Sequence, residues 1–113
     1  MLTFRLESSL QKISDLNDGW NGKDSTKFDP LFIAFCRNLI TNLSYTSDAQ
    51  PEKDGSIKFD FASADDMIIL NIYPNHNIDI YIEGQGNIII NPDNDPNYIQ
   101  RIDRIIRCHN INI

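Results

Sequence analysis

Acidic residues and tyrosines alternate with aliphatic residues through the middle of this 113-residue chain. They fall in the segments IKFDF, MIILNIY and IDIYIEG. Carboxylates steer a basic protein surface towards them, and tyrosines add contact area once the partner is bound. The residues that suit this partner-binding chemistry are Asp60, Tyr73, Asp79, Tyr81 and Glu83.

A second candidate site is the loop DGWNGKDSTKFDP, which holds the only tryptophan of the chain. Gly19 and Gly22 flank this tryptophan, and glycine permits the positive φ that lets a bulky indole turn back against the domain. We expect Trp20 to pack between the first two helices, with its indole N–H bonded to backbone. The alternative is a ligand or partner site formed by Trp20, Asn21 and Asp24.

Signatures of metal binding and catalysis are weak. The segment NPDNDPN places Asp93, Asp95 and Asn97 at alternate positions, as in a calcium loop. The sixth and twelfth positions of such a loop require glycine and glutamate, but here they hold Tyr98 and Arg104. Neither histidine belongs to a metal-ligand motif or is tied to a nucleophile. The sequence therefore predicts no metal site, no cofactor and no catalytic residue.

The two cysteines, Cys36 and Cys108, each lie within an apolar pattern. A chain of this length buries enough surface to fold without a covalent cross-link. We therefore expect both cysteines to be buried, reduced thiols.

The first part of the chain has the periodicity of α-helix. Apolar residues recur at steps of four and three from Leu2 to Leu16, and Asn17-Asp18-Gly19 offers C-cap chemistry. Asp29-Pro30 then supplies an N-cap and a first-turn proline for a second helix, LFIAFCRNLITNL. The polar stretch SDAQPEKDG ends this helical part.

The period then changes from 3.6 to 2, which is typical of strands. Four strands are expected, within IKFDF, MIILNIY, IDIYIEG and NIIIN. The short connections PNHN and GQGN predict an antiparallel meander.

A last helix is expected after Asp95-Pro96, which repeats the earlier helix-start pattern. Three arginines at spacings of three, Arg101, Arg104 and Arg107, are most simply a solvated helix face. In the alternative, they contact the acidic sheet of a second copy and form a homodimer.

These elements predict a single α+β domain spanning residues 1–113. It comprises two N-terminal helices, a four-stranded antiparallel meander and a C-terminal helix, with the helices on one face of the sheet. The residues expected on the uncovered face are Lys58, Asp60, Ile69, Asn71, Tyr73, Asp79, Tyr81 and Glu83.

The net charge of −6 is concentrated in residues 59–100, which contain seven acids and no base. Direct nucleic-acid binding is disfavoured, because neutralising phosphates needs a basic face. A partner protein with a basic surface fits better. The N-terminus does not resemble a signal peptide, and no apolar run could span a bilayer, so we expect a cytoplasmic protein with no membrane partner.

Two short motifs carry a family resemblance. Many small bacterial proteins have an N-terminal helix ending in W-[ND]-G, a second helix, and a D-G-[SG]-I strand start before a short meander. This chain has Trp20-Asn21-Gly22 and Asp54-Gly55-Ser56-Ile57 in the corresponding places, so it resembles that group over residues 10–83. It departs from the group at Lys23-Asp24-Ser25-Thr26-Lys27, where a stretch rich in glycine and alanine is usual. The group has no assigned activity, so the resemblance implies the fold and leaves function open.

The functional expectation is a small acidic protein-binding module rather than an enzyme. Such a module inhibits another protein by occlusion, as antitoxins, immunity proteins and phage-encoded inhibitors of bacterial defence systems do. The alternative is a small-ligand binder or an enzyme that uses the Trp20 loop.

Overall fold

A computed structural model describes residues 4–20, 22, 26–43, 48–62 and 67–109 of the chain. These residues form three helices and a five-stranded antiparallel sheet. In chain order the elements are α1 (Phe4–Ser14), α2 (Pro30–Thr41), β1 (Ala49–Pro51), β2 (Ile57–Ala62), β3 (Met67–Ile72), β4 (Ile78–Ile82), β5 (Gly86–Ile90) and α3 (Tyr98–His109). The predicted α+β class is confirmed, but the predicted number of four strands is wrong.

The additional strand, β1, lies in the polar stretch that was expected to be a connection only. It pairs antiparallel with β2, with Ala49 opposite Phe59 and Pro51 opposite Ile57. Three residues that include a proline show no period-2 pattern, so the sequence contains no strand signal there. The strand forms because β2 offers a backbone edge, and because the Ala49 N–H donates to the Ser9 hydroxyl of α1 at 3.0 Å.

The sheet is a meander in the order β1-β2-β3-β4-β5, so neighbours in sequence are neighbours in space. Successive side chains of a strand point to opposite faces, and one face of the sheet is buried. The buried residues of β2 to β5 are Ile57, Phe59, Phe61, Ile68, Leu70, Ile72, Ile78, Ile80, Ile82 and Ile90.

All three helices cover this same face, as the sequence predicts, because their apolar residues belong to one cluster with the buried strand residues. The contributions of the helices are Leu10 and Ile13 from α1, Phe32, Ile33, Cys36, Leu39 and Ile40 from α2, and Ile102 and Ile106 from α3. The opposite face of the sheet has no helix of the described part against it.

The starts of the second and third helices differ in chemistry. The Asp29 carboxylate accepts the Leu31 N–H at 2.9 Å, and Pro30 is the first helical residue, as predicted. The Asp95-Pro96 pair instead forms a turn before α3, because the Tyr98 N–H donates to the Asp95 carbonyl at 3.0 Å. The third helix therefore begins two residues after the proline.

The three helices are short, at 11, 12 and 12 residues. A membrane-spanning helix needs about 20 mostly apolar residues. None of the helices in the described part is long and apolar enough to cross a membrane.

The two cysteines have different surroundings. Cys36 is fully buried in α2, as expected, whereas Cys108 is exposed near the end of α3, so the expectation that it is buried is wrong. The inward positions of α3 are Ile102 and Ile106, four residues apart, and a residue two positions further on faces another side of the helix. Both cysteines are free thiols.

Thiol labelling should reflect this difference. In the folded protein, we expect Cys108 to react with a soluble thiol reagent at the rate of an exposed cysteine, and Cys36 to react only after unfolding. Mass spectrometry of the labelled protein distinguishes one adduct from two. A reductant should leave the thermal midpoint unchanged, and a large loss of stability on reduction would contradict the free-thiol state.

Candidate protein-binding face

The uncovered side of the sheet, here called the open face, is formed by every second residue of the strands and of their immediate extensions. Each of these residues is half-buried or exposed, whereas the strand residues between them are mostly buried. The members of the open face on β2 to β5 are Lys58, Asp60, Met67, Ile69, Asn71, Tyr73, Asp79, Tyr81, Glu83, Asn87 and Ile89. The five predicted partner-binding residues all lie on it.

Strand register arranges the open face in rows across the sheet. In one row, Asp60 lies opposite Ile69, which lies opposite Tyr81. In the next row, Asn71 lies opposite Asp79, and Asp79 lies opposite Ile89. Cross-strand neighbours have Cβ atoms about 5 Å apart. Acidic, aromatic and aliphatic side chains therefore alternate within one continuous surface.

Exposed apolar side chains concentrate on the open face. In the described part of the chain, the large hydrophobic residues that are exposed are Met67 at 44%, Tyr81 at 37%, Ile89 at 63% and, away from this face, Leu31 at 78%. Sequence reasoning did not include Met67 or Ile89 in the site. The side-chain period of two could have identified Met67, because it has the parity of Ile69 and Asn71, which were predicted to face outward. The three consecutive isoleucines of NIIIN give no such signal for Ile89.

Two acids of the open face differ in how they are held. Glu83 is exposed beyond the end of β4. Asp79 is half-buried, and its carboxylate accepts a hydrogen bond from the Asn87 amide at 2.9 Å. Asp79 therefore points outward, as predicted, but it is fixed in position by the next strand.

Tyr73 lies at the end of the open face next to an open concavity of about 540 Å³. Burial raises the pKa of its hydroxyl. The carboxylates of Asp79 and Asp54 raise this pKa further, because they repel the negative charge of the ionised Tyr73 oxygen. The hydroxyl therefore stays protonated and available as a hydrogen-bond donor. The concavity is lined by Glu52, Lys53, Asp54, Ser56, Lys58, Ile69, Asn71, Tyr73, Tyr81 and Asn87.

Asp54 is itself held by the turn between β1 and β2. Its carboxylate accepts the Ser56 N–H at 2.9 Å and the Ser56 hydroxyl at 2.6 Å. These hydrogen bonds lower the pKa of the Asp54 carboxyl, because they stabilise its charged form. The turn therefore places a fixed negative charge beside Tyr73.

The Trp20 loop is closed on itself. Trp20 is half-buried against the core, its indole N–H donates to the Thr26 carbonyl at 3.0 Å, and its ring lies 5.9 Å from that of Phe28. Gly19 and Gly22 have φ values of 81° and 101°, as the loop requires. The predicted backbone partner of the indole is confirmed, but its aromatic neighbour belongs to the loop rather than to a helix. The other two residues of this candidate site, Asn21 and Asp24, lie outside the described residues.

A row of rings that the sequence did not indicate continues from this loop. The His76 ring stacks on Phe35 of α2, with 4.1 Å between ring centroids, and Phe35 lies 6.2 Å from Tyr98. His76 is in the turn between β3 and β4 and has a positive φ of 73°. Histidine adopts a positive φ more readily than most residues other than glycine, and here the turn with this conformation places the ring against α2. A separate concavity of about 360 Å³ is lined by residues that include Phe28, Phe32 and His76.

Two of the three arginines of α3 bind acids of the same chain. Arg101 pairs with the Asp95 carboxylate at 2.8 Å, and Arg107 pairs with Asp103 one helical turn earlier. Both arginines are exposed, as predicted for a solvated helix face. These internal pairs weaken the alternative in which the arginines meet the acidic sheet of a second copy.

Among the described residues, no group of three or more histidine, cysteine, aspartate or glutamate residues is placed to hold a metal ion. Comparison with protein-family models, with curated proteins and with solved structures found no match. A function for this chain therefore has to be argued from the chemistry of its own surface.

Proposed function

We propose that this protein is a small binding module that inhibits another protein by covering a basic surface with its open face. Asp60, Tyr73, Asp79, Tyr81 and Glu83 are the residues assigned to that contact. The mode of action is occlusion, as in antitoxins, immunity proteins and phage-encoded inhibitors of bacterial defence systems.

The observation that carries this proposal is the composition of the open face. It combines exposed apolar side chains, Met67 and Ile89, with tyrosine and carboxylate groups on one sheet. Protein interfaces have this mixture of an apolar, aromatic centre and a polar surround. On a face that otherwise carries mostly polar and acidic side chains, Ile89 at 63% exposure adds apolar contact area.

A basic partner is favoured because the acids of the open face are not neutralised there. Lys58 is the only base on this face within the described residues. Its Nζ lies 3.9 Å from Oε1 of Glu52. Gathering like charges on one face weakens folding slightly, whereas a basic partner would gain faster association from them.

Charge reversal tests the proposal. We expect Asp60→Lys/Glu83→Lys to slow association with the partner about tenfold at low salt, with a smaller effect as salt rises. The control, Asp15→Lys/Asp93→Lys, places the same reversals on exposed acids away from the open face. Each reversal adds two units of charge, so both variants have a net charge of −2 instead of −6.

The measurement is affinity capture of the partner from cells that carry this gene, followed by surface plasmon resonance with both double variants. Equal slowing by the two variants would mean that net charge alone matters, and would contradict a site on the open face.

Tyr81→Ala should raise the rate at which the partner dissociates, whereas Tyr81→Phe should retain most of the affinity, since the ring contributes mainly to the bound state.

A second candidate function uses the Trp20 loop to bind a small ligand. The observation that favours it is the concavity of about 360 Å³ next to Phe28, the ring neighbour of Trp20. A ligand there should change the fluorescence of Trp20, the only tryptophan. This candidate gains weight if reversals on the open face leave partner binding unchanged.

A further inference from the structure

The two edges of the sheet differ in whether their backbone groups are free. Directly after β1, the Glu52 N–H donates to the Ser56 carbonyl at 2.9 Å, and bonded positions alternate along an antiparallel pair. Ala49 and Pro51 therefore direct their backbone groups away from β2. The Ala49 N–H is taken by the Ser9 hydroxyl, and proline has no N–H to offer. This edge is closed to further strand addition.

The edge formed by β5 is open. Hydrogen bonds from the Glu83 N–H to the Met67 carbonyl and from the Tyr73 N–H to the Asn77 carbonyl set the alternation between β3 and β4. It follows that the backbone groups of the even-numbered residues of β4 form the hydrogen bonds to β5. In β5, the backbone N–H and C=O groups of residues 87 and 89 therefore point away from β4, towards the free edge. Within the described part of the chain, these outward amides and carbonyls form no hydrogen bond.

The sequence of β5, GNIII, contains none of the features that protect natural edge strands. It has no charged residue, no proline and no covering element in the described part. Ile89 is 63% exposed on the open face, and Ile88 is only half-buried at the margin of the core. Both the backbone and the side chains of this edge are therefore suited to another strand.

We propose that β5 pairs antiparallel with β5 of a second copy of this chain, which makes one continuous ten-stranded sheet. One register lets both residues with edge-facing backbone groups form hydrogen bonds. In this register Asn87 lies opposite Ile89 of the second copy, and Ile88 lies opposite Ile88 of the second copy. Two bonded residue pairs give four backbone hydrogen bonds across the two-fold axis. The half-buried Ile88 side chains meet on the core side of the sheet.

Charge repulsion at this edge is weak despite the acidity of the chain, which permits a second copy there. The strand that forms the contact is uncharged, and the nearest acid on the neighbouring strand is Asp79. The two Asp79 carboxylates would be separated by three strand spacings, or roughly 14 Å. That separation exceeds the screening length of about 8 Å at physiological ionic strength, so their repulsion is weak.

This dimer does not depend on the proposed inhibitory function, and it leaves the open face uncovered. Two open faces would lie side by side on the continuous sheet, on the side opposite the helices. It also differs from the predicted homodimer through Arg101 and Arg104, because it uses backbone groups instead of ion pairs.

Sedimentation velocity over a wide range of concentration tests the pairing. The wild-type protein should shift from monomer to dimer mass as its concentration rises. Ile89→Pro should abolish the shift, because proline removes an outward N–H without removing a bond to β4. Ile89→Thr keeps this N–H and a strand-forming side chain, so it should retain dimerisation. Leu31→Thr removes an exposed apolar side chain elsewhere and should have no effect.

Amide hydrogen exchange provides a measurement that needs no variant. The amides of Asn87 and Ile89 should become protected at dimer concentrations. Protection of the Gln85 amide should not change with concentration, because this amide already donates to the Ile82 carbonyl within each copy. A monomer at every concentration, or exchange of the two β5 amides that does not change with concentration, would overturn the proposal. Loss of association in Ile89→Thr equal to that in Ile89→Pro would also overturn it, since side-chain contact alone would then explain dimerisation.

Discussion

Replacing Trp20 by alanine should lower the free energy of unfolding by about 2 kcal/mol. Replacing a fully buried aromatic residue by alanine lowers the free energy of unfolding by about 3–5 kcal/mol. A smaller loss is expected here because Trp20 is only half-buried. The substitution removes the ring contact with Phe28 and the hydrogen bond to the Thr26 carbonyl, which close the loop before α2. Urea denaturation followed by circular dichroism measures the change.

Trp20→Phe is the matched variant for this prediction. It keeps an aromatic ring near Phe28 but loses the indole N–H, so about half of the destabilisation should remain. If Trp20→Ala leaves stability unchanged and weakens ligand or partner binding, then the loop is a binding site and not a structural closure. Equal destabilisation by both variants would assign the whole effect to the hydrogen bond.

Stability should also fall in alkaline solution because of Cys36. Burial in the core raises the pKa of its thiol above the ordinary value of 9.0. Above that pH the unfolded chain loses the thiol proton while the folded chain keeps it, so the unfolded state binds fewer protons. The contribution of the buried thiol to the free energy of unfolding is therefore complete below pH 9.0. Above pH 9.0 this free energy falls by up to about 1.4 kcal/mol for each pH unit.

Denaturation at several pH values, with Cys36→Ala beside the wild type, isolates this contribution. The alanine variant should be less stable at neutral pH, because it leaves a small cavity, but its disadvantage should shrink as pH rises from 9 to 11. Cys108→Ala is the control, and the wild-type slope should remain in it. A constant difference between wild type and Cys36→Ala across this range would show that the buried thiol is not the source.

Much of the open face could be predicted from the pattern of residues in the sequence. Alternation in β2 and β4 assigns each of their residues to one of two faces, because the side-chain period of a strand is two. The placement of Asp60, Asp79 and Tyr81 on one surface was therefore predictable once the strands were recognised. The buried face was predictable for the same reason.

Other features had no local signal. The β1 strand is defined by hydrogen bonds to β2 and α1, and three residues around Pro51 contain no period that would reveal them. The stacking of His76 on Phe35 joins a turn to a helix about forty residues earlier in the chain, so nothing in the turn sequence indicates it. The exposure of Cys108 depends on which side of α3 meets the sheet, and an apolar neighbourhood in sequence does not specify that side.

By itself, the sequence determined the α+β class, the positions of four of the five strands to within two residues, and the concentration of acids on one side of the sheet. These properties follow from local periodicity and composition, which act between residues close in the chain. Only the tertiary structure decided which sheet edge is closed, which arginines are paired, and how the Trp20 loop is held. The closed edge depends on contacts between segments that are far apart in the chain, because β1 is held by β2 and by α1. The arginine pairs and the Trp20 loop join residues only four to eight positions apart. Which partner each of these side chains takes depends on its orientation in the folded domain, and periodicity and composition do not specify that orientation.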